Sequence, residues 1–321
     1  MTTAGATADP QQILAEAALQ KVPAFRGRAV RISPAVSGAA SPSYHGVESA
    51  TYAVALDDEA PDYFLKVATS EIRWLMDLPA AMDAAVKIAA LGLGAEPLFL
   101  AEAEGAILFR HLGSNWRVAR IDDLRHPDCM AAVIAAHRRI AEGPDFVRTW
   151  SVFDGIAGLW MHLGEADAAL PPDAWYLKDS IDAIRDAVTA AGVDARPAHA
   201  DPHASNILLG TGNELRLVDF DMAANVDPYY QLGALLNEAY AFDSEMKPAI
   251  EMFEGHFRNE ALQRCLAYAA ADDLYWGLRS LLLDRVSPRR GLEFRKYAGW
   301  RFLRCRMRVN RPGFEETLRA L

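Results

Sequence analysis

The chain has 321 residues, of which 51% are hydrophobic and 24% charged, and its formal charge is -10. That length is enough for two domains or one two-lobed domain. With no long basic run, the composition argues against a nucleic-acid partner, whose phosphates require clustered Lys and Arg. Cys129, Cys265 and Cys305 stand far apart with no CxxC spacing, so they are expected to be buried thiols in a reducing compartment. The start "MTTAGATADPQQ" lacks the basic and apolar regions of a signal peptide, and no apolar run approaches a membrane span. The expectation is a cytoplasmic protein without a membrane partner.

In chain order, "DPQQILAEAALQKV" predicts a first helix with Asp9 as cap and Pro10 at its first position. "RAVRIS", "SATYAVAL" and "DYFLKVA" read as strands, punctuated by "VSGAASPSYHG". A helix ending at "KIAALGLG" follows, then the strands "PLFLAE" and "GAILFRH". Beyond about residue 115 the text turns helical, with helices expected near 128–142, 152–164, 173–191, 229–241, 245–258, 260–284 and 292–308. Only one hairpin is expected among them: "NILL" and "LRLVDF", joined by "GTGNE". The expected architecture is α+β, with a small β-rich N-terminal lobe (1–110) and a larger, mainly helical C-terminal lobe (111–321).

That hairpin carries the chemistry. Antiparallel strands set the residue entering the first beside the residue leaving the second, so Asn206 and Asp219 become neighbours, with Asp201 on the loop before. Phosphoryl transfer from ATP needs this set: one carboxylate to orient and deprotonate a hydroxyl, and a carboxylate and an amide oxygen to hold Mg2+. The spacing is His199-x-Asp201-x4-Asn206, then Asp219 after the next strand. It is the spacing of a protein-kinase catalytic loop and its downstream magnesium aspartate. Ala200 stands where protein kinases carry arginine.

The text "HADPHASN", "VDFD" and "DPYYQLG" resembles the aminoglycoside phosphotransferase and choline/ethanolamine kinase group, which shares the two-lobed protein-kinase-like fold. "LYWGLRSLL" and "KYAGWRF" are similar to bacterial choline-kinase-like proteins. The resemblance extends over nearly the whole chain and is sharpest from His199 to about Arg301. It implies an ATP- and Mg2+-dependent kinase of a small-molecule alcohol. Asp201 would be the catalytic base, Asn206 and Asp219 magnesium ligands, His199 a brace for the loop, and Asp221 a contributor to a second metal. An aminoglycoside or thiamine kinase-like enzyme, or a catalytically weak nucleotide-binding protein of the same fold, stays open, as does a homodimer.

On the nucleotide side, Lys66 ends a strand where such a lobe places its phosphate-anchoring lysine. "SYHGVESATYAV" lines up with the phosphate-covering turn, where Gly46 and Ser49 remain, and "VSGAAS" with Gly38 is a second candidate turn. Glu48 beside a triphosphate is repulsive unless it points away. Ala81 falls where a helix glutamate would pair with Lys66, leaving Asp77 or Asp83 as substitutes. Gln231 replaces the aspartate that supports the loop from below, and Leu108–Gly113 looks like the connector that binds adenine.

On the acceptor side, Trp276 and Tyr297 fall where the resemblance places two aromatics of a quaternary-ammonium cage, worth roughly 0.5–2 kcal/mol. Arg279 lies three residues after Trp276, on the same helical face, and is expected at the same pocket rim, where it would favour an anionic substituent. Glu238 and Asp243 could supply compensating negative charge. A competing reading makes His199, Asp201 and His203 ligands of a hydrolytic metal.

Overall fold

In the computed structural model, residues 9–40 and 43–321 are described. The start of "MTTAGATADPQQ" and the last residue of "VSGAAS" lie outside them. Helix α1 (Pro10–Gln20) begins as expected: Asp9 accepts the Gln11 N–H at 3.1 Å and Pro10 opens the first turn. Five strands follow: β1 (Val30–Pro34), β2 (Ser49–Leu56), β3 (Tyr63–Ala68), β4 (Pro97–Ala101) and β5 (Ala106–Arg110). They form one antiparallel sheet in the order β1-β2-β3-β5-β4. Helix α2 (Leu78–Ala90) is inserted between β3 and β4. Ala15, Ala18 and Leu19 of α1 close one face of this sheet over Val54, Leu65 and Val67, a dry core with hardly any exposed surface.

The remainder is mostly helical: α3 (Ile121–Leu124), α4 (Pro127–Ala141), α5 (Val152–Glu165), α6 (Ala174–Ala191), α7 (Pro228–Ala239), α8 (Lys247–Glu254), α9 (Asn259–Val286), α10 (Phe294–Val309) and α11 (Phe314–Arg319). Six of these match expected helices to within two residues at each end, and the seventh expected helix, α8, ends four residues short of position 258. Helix α9 is the central pillar: every residue from Cys265 to Leu283 is buried, the charged Asp272, Asp273 and Arg279 included. Helix α7 presses so closely on it that a Cβ on Gly233 would lie 2.6 Å from the Cys265 carbonyl oxygen, which explains the glycine of "DPYYQLG". Cys265 and Cys305 are buried as expected, whereas Cys129 is only part-buried, and all three are free.

The single hairpin expected in this part is incomplete. Strands β8 (Ile207–Leu209) and β9 (Leu215–Leu217) do pair, but β6 (Arg117–Val118) adds a third strand along β8. A second small sheet joins β7 (Arg196–Ala198) to β10 (Ala224–Val226). Segments of two or three residues have too little periodicity to announce themselves in sequence. These strands bracket the catalytic-loop candidate, β7 before it and β10 after it. Leu217 N also donates to Leu93 O at 2.7 Å, tying the hairpin to the N-terminal part.

No described helix is long and apolar enough to cross a membrane.

Candidate active site

Two residues in the site region adopt left-handed backbone without being glycine: Ala200 (φ 61°) and Asp219 (φ 67°). Such geometry costs about 1–3 kcal/mol and persists only where the surroundings enforce it. Around Ala200 the enforcement is visible. Its N–H donates to Gln231 Oε1 at 2.7 Å, so glutamine supports the loop from below as expected. The other end of Gln231 faces the His137 ring, its Nε2 3.2 Å from Nδ1. Burial drives the His137 imidazole down to about 3, so it stays neutral.

His199 is a brace. Its Nε2 donates to Val218 O at 2.8 Å, and its Nδ1 receives the Asp201 N–H at 3.3 Å. Both ring nitrogens are committed, which removes it as a metal ligand. Among the described residues no three His, Cys, Asp or Glu side chains gather as a metal cluster. The His199–Asp201–His203 hydrolase reading therefore has no geometric support.

Asp201 and Asn206 are locked together: Asn206 Nδ2 donates to Asp201 Oδ2 at 2.7 Å and to its carbonyl at 3.0 Å. The amide nitrogen is thereby spent and the side-chain oxygen is kept for another partner. As anticipated, the hairpin sets Asn206 against the other strand's exit, with Val218 N donating to Asn206 O at 3.0 Å. The second Asp201 oxygen meets His203 Nδ1 in a short hydrogen bond. Burial opposes ionisation of Asp201, but His203 overrides it and holds the carboxyl down at about 2. Reciprocally, burial disfavours the His203 cation, while Asp201 and Glu238 push the imidazole up to about 9. Sequence reasoning weighed His203 only as a hydrolase ligand. The signal was there: a second histidine two residues after the loop aspartate.

Lys66 meets an unexpected partner. Its Nζ lies 2.5 Å from Asp219 Oδ1 and 2.7 Å from Asp221 Oδ2. The expected substitutes do other work. Asp77 caps α2 by accepting the Ala80 N–H at 3.0 Å, and Asp83 pairs with Lys87 at 2.8 Å. Neither pairs with Lys66, because a capping residue points along its own helix and Asp83 is satisfied one turn on. Burial pushes Asp221 up to about 6, with Lys66 opposing and Asp219 adding to the rise. Asp219 and Asp221 share Lys66, and Asn206 borders the same cavity; carboxylate and amide oxygens are the hard donors that suit Mg2+.

Above these groups lies the phosphate-loop candidate. The two candidate turns prove to be two arms of one structure. Ala39 and His45 exchange backbone hydrogen bonds at 2.9 and 3.0 Å. Gly38 and Gly46 face each other so tightly that a Cβ on Gly38 would sit 2.6 Å from Gly46 O. Gly46 has φ 57°, which also favours glycine. Ser49 is buried and its hydroxyl has no partner, although it borders the cavity, an orphan donor suited to an anion's oxygen.

A cavity of about 410 Å³ joins these pieces. Gly46, Ser49, Lys66, Asp201, Asn206, Asp219, Asp221 and Trp276 border it, and Leu112 and Gly113 of the connector border its far side. Three expected acceptor residues do not border it. Glu238 sits behind the loop, where it accepts the Ala204 N–H at 2.6 Å. Tyr297 is 4% exposed and lies beyond Tyr44. Arg279 is also 4% exposed, and instead of offering a free guanidinium it grips Glu48 by two 2.5 Å contacts and donates to the Tyr275 hydroxyl at 2.8 Å. Glu48, expected to repel phosphates, is neutralised by the same contact. Asp243 pairs with Arg311 at 2.6 Å. The buried arginine that sequence reasoning did not single out is Arg301, which holds Asp272 at 2.5 Å and Asp273 at 3.2 Å.

Comparison with solved structures gives the same fold. A choline/ethanolamine kinase family protein from Mesorhizobium loti superposes with a TM-score of 0.77 at 22% identity, over 97% of this chain and 98% of that one. The choline kinase LicA from Streptococcus pneumoniae gives 0.72 at 13% identity, over 96% and 100%. An aminoglycoside 2'-phosphotransferase-IIIa mutant in its GDP complex gives 0.60 at 11% identity, over 92% and 96%. A sequence search of curated proteins yields no match. The model of the APH phosphotransferase enzyme family matches residues 41–268, and the chain belongs to that family.

Proposed function

We infer that this protein is a cytoplasmic ATP- and Mg2+-dependent kinase of a small-molecule alcohol, similar in design to choline/ethanolamine kinases. The observation that carries the reading is the convergence of Asp201, Asn206, Asp219, Asp221 and Lys66 on one cavity beneath the Gly38–Gly46 loop. Two neighbours bear on the ligands: LicA was solved with AMP, and the amicoumacin kinase hAmiN with AMP-PNP and Ca2+.

In this reading the first 110 residues hold the nucleotide and residues 111–321 the catalytic loop and acceptor, with Leu108–Gly113 as connector. Ser49 and the Gly46 backbone receive phosphate oxygens. With nucleotide bound, Lys66 would turn from Asp219 and Asp221 to the phosphates, and those acids with Asn206 would hold the metal. Mg2+, when bound, supplies charge that the transferring phosphoryl group needs. Asp201 orients the acceptor hydroxyl and takes its proton as oxygen bonds to the γ-phosphorus and the bond to ADP breaks. A carboxylate held at about 2 is a weak base, which suits a loose transition state in which the proton leaves late. His203 fixes which oxygen of Asp201 faces the substrate.

A second reading rests on one observation. Lys66 occupies the two carboxylates that the metal needs. If it does not release them, the protein binds nucleotide and turns over slowly. One experiment separates the two: incubation with ATP and Mg2+ and a panel of choline, ethanolamine, thiamine, amino sugars and aminoglycosides, read by nucleotide consumption. Acceptor-dependent ADP release supports the kinase. A nucleotide-dependent melting shift with no turnover on any acceptor supports the second reading.

A further inference from the structure

Trp276 in α9 and Tyr297 in α10 do not face an open slot. The Tyr44 ring lies between them, its centroid 5.0 Å from each, tilted 57° to Trp276 and 41° to Tyr297. At that distance aromatic rings are in contact. A quaternary ammonium binds within about 6 Å of an aromatic face, and the faces of Trp276 and Tyr297 that Tyr44 covers are closed to it. His203, the partner of Asp201, is packed edge-on against Trp276 at 5.4 Å, so the slot adjoins the reacting centre.

Tyr44 is held where it is. Its hydroxyl donates to Glu48 Oε1 at 2.7 Å, and Glu48 is gripped by Arg279 from α9. The Ala39–His45 backbone bonds anchor the chain next to it. Burial, reinforced by Glu48, drives the phenol's ionisation upward, so it remains a neutral donor. Arg279, three residues after Trp276, thus fastens a carboxylate that in turn fastens Tyr44.

We propose that Tyr44 sets the acceptor specificity of this site: its ring holds the slot between Trp276 and Tyr297, so the protein refuses an acceptor with a quaternary ammonium group and takes one without it. The inference rests on reading that slot as the acceptor side of the proposed kinase. It replaces the expectation that a free Arg279 guanidinium does the selecting.

The test titrates choline by calorimetry into the wild-type protein, Tyr44→Ala and Tyr44→Phe. Tyr44→Ala is expected to bind choline at least about tenfold more tightly than wild type, because two ring faces become available to the cation. Tyr44→Phe keeps the ring and is expected to match wild type. Equal or weaker choline binding by Tyr44→Ala overturns the proposal. Binding is read without turnover, so failure of phosphotransfer would sink the kinase reading alone. The Mg-ATP melting shift of each protein reports the nucleotide side separately. If Tyr44→Ala does not melt cooperatively, deuterium exchange of the wild-type 43–49 peptide decides. Faster exchange in concentrated choline chloride than in sodium chloride supports displacement of Tyr44, and equal or slower exchange overturns it.

Discussion

Glu48, in the segment before β2, and Arg279, in the middle of α9, form a two-pronged ion pair across 231 residues of sequence, with both contacts at 2.5 Å. Taken alone, Glu48 would repel a triphosphate and Arg279 would be an unpaired buried charge. Together they cancel, and they bind the N-terminal part to the helical part. The pair is largely shielded from water, Arg279 at 4% and Glu48 at 15% side-chain exposure, so removing one partner strands the other. Glu48→Gln and Arg279→Met are each expected to lower stability by about 3 kcal/mol, and the double variant by much less than the sum. Denaturant unfolding of all four proteins measures the coupling, and additive losses would show that the contact contributes nothing specific.

Asp201→Asn keeps the hydrogen-bond geometry with Asn206 and removes the carboxylate. Under the kinase reading, turnover falls about 10²–10⁴-fold while Mg-ATP affinity is nearly unchanged, since the group acts on the acceptor's proton. Steady-state kinetics beside calorimetry test this on the acceptor that the panel identifies. Turnover within a few-fold of wild type would remove Asp201 from its role.

Asp219→Ala takes away one of two carboxylates that share Lys66. Nucleotide affinity in the presence of Mg2+ is expected to collapse toward the metal-free value, because the bridging charge is lost. Calorimetry with ATP, with and without Mg2+, is the measurement. An undiminished Mg2+ effect would place the metal elsewhere.

His137 gives a pH prediction. The unfolded imidazole takes up a proton near about 6.5, while burial holds the folded one to about 3. The folded pKa is depressed, so stability is full above the unfolded pKa and is lost as pH falls from 6.5 toward 3. At pH 5.5 the loss from this residue is on the order of 1 kcal/mol. Denaturant unfolding at pH 7.5 and 5.5 should show it, and His137→Gln should shrink the difference by about that amount. An unchanged difference in the variant would mean that His137 titrates normally in the folded chain.

The sequence by itself determined the elements long enough to carry a period, and the loop whose chemistry is local. Helix α1 with its Asp9 cap, strands β2 and β3, and most of the long helices follow from patterning and caps over ten or so residues. The Asp201–Asn206 pairing and the neighbouring exit of Asp219 follow from hairpin geometry within twenty residues. Gln231 under Ala200 was legible through the "DPYYQLG" resemblance. The two- and three-residue strands were not, because so few side chains cannot show an alternation.

What only the tertiary structure decided is the partner of each buried charge. Lys66 chose Asp219 and Asp221 over Asp77 and Asp83, although the latter are nearer in sequence, because β3 and the hairpin end face each other across the cavity. Arg279 had equal helical claim to the pocket rim and to the interior. The approach of Glu48 settled it, since a buried guanidinium without a counter-charge is too costly to persist. Tyr44 could not be placed beside Trp276 and Tyr297 from any local pattern, for the three residues meet only when the N-terminal segment folds down onto α9 and α10. Charge pairing and ring packing act through space over a few ångströms, and a sequence records neighbours along the chain.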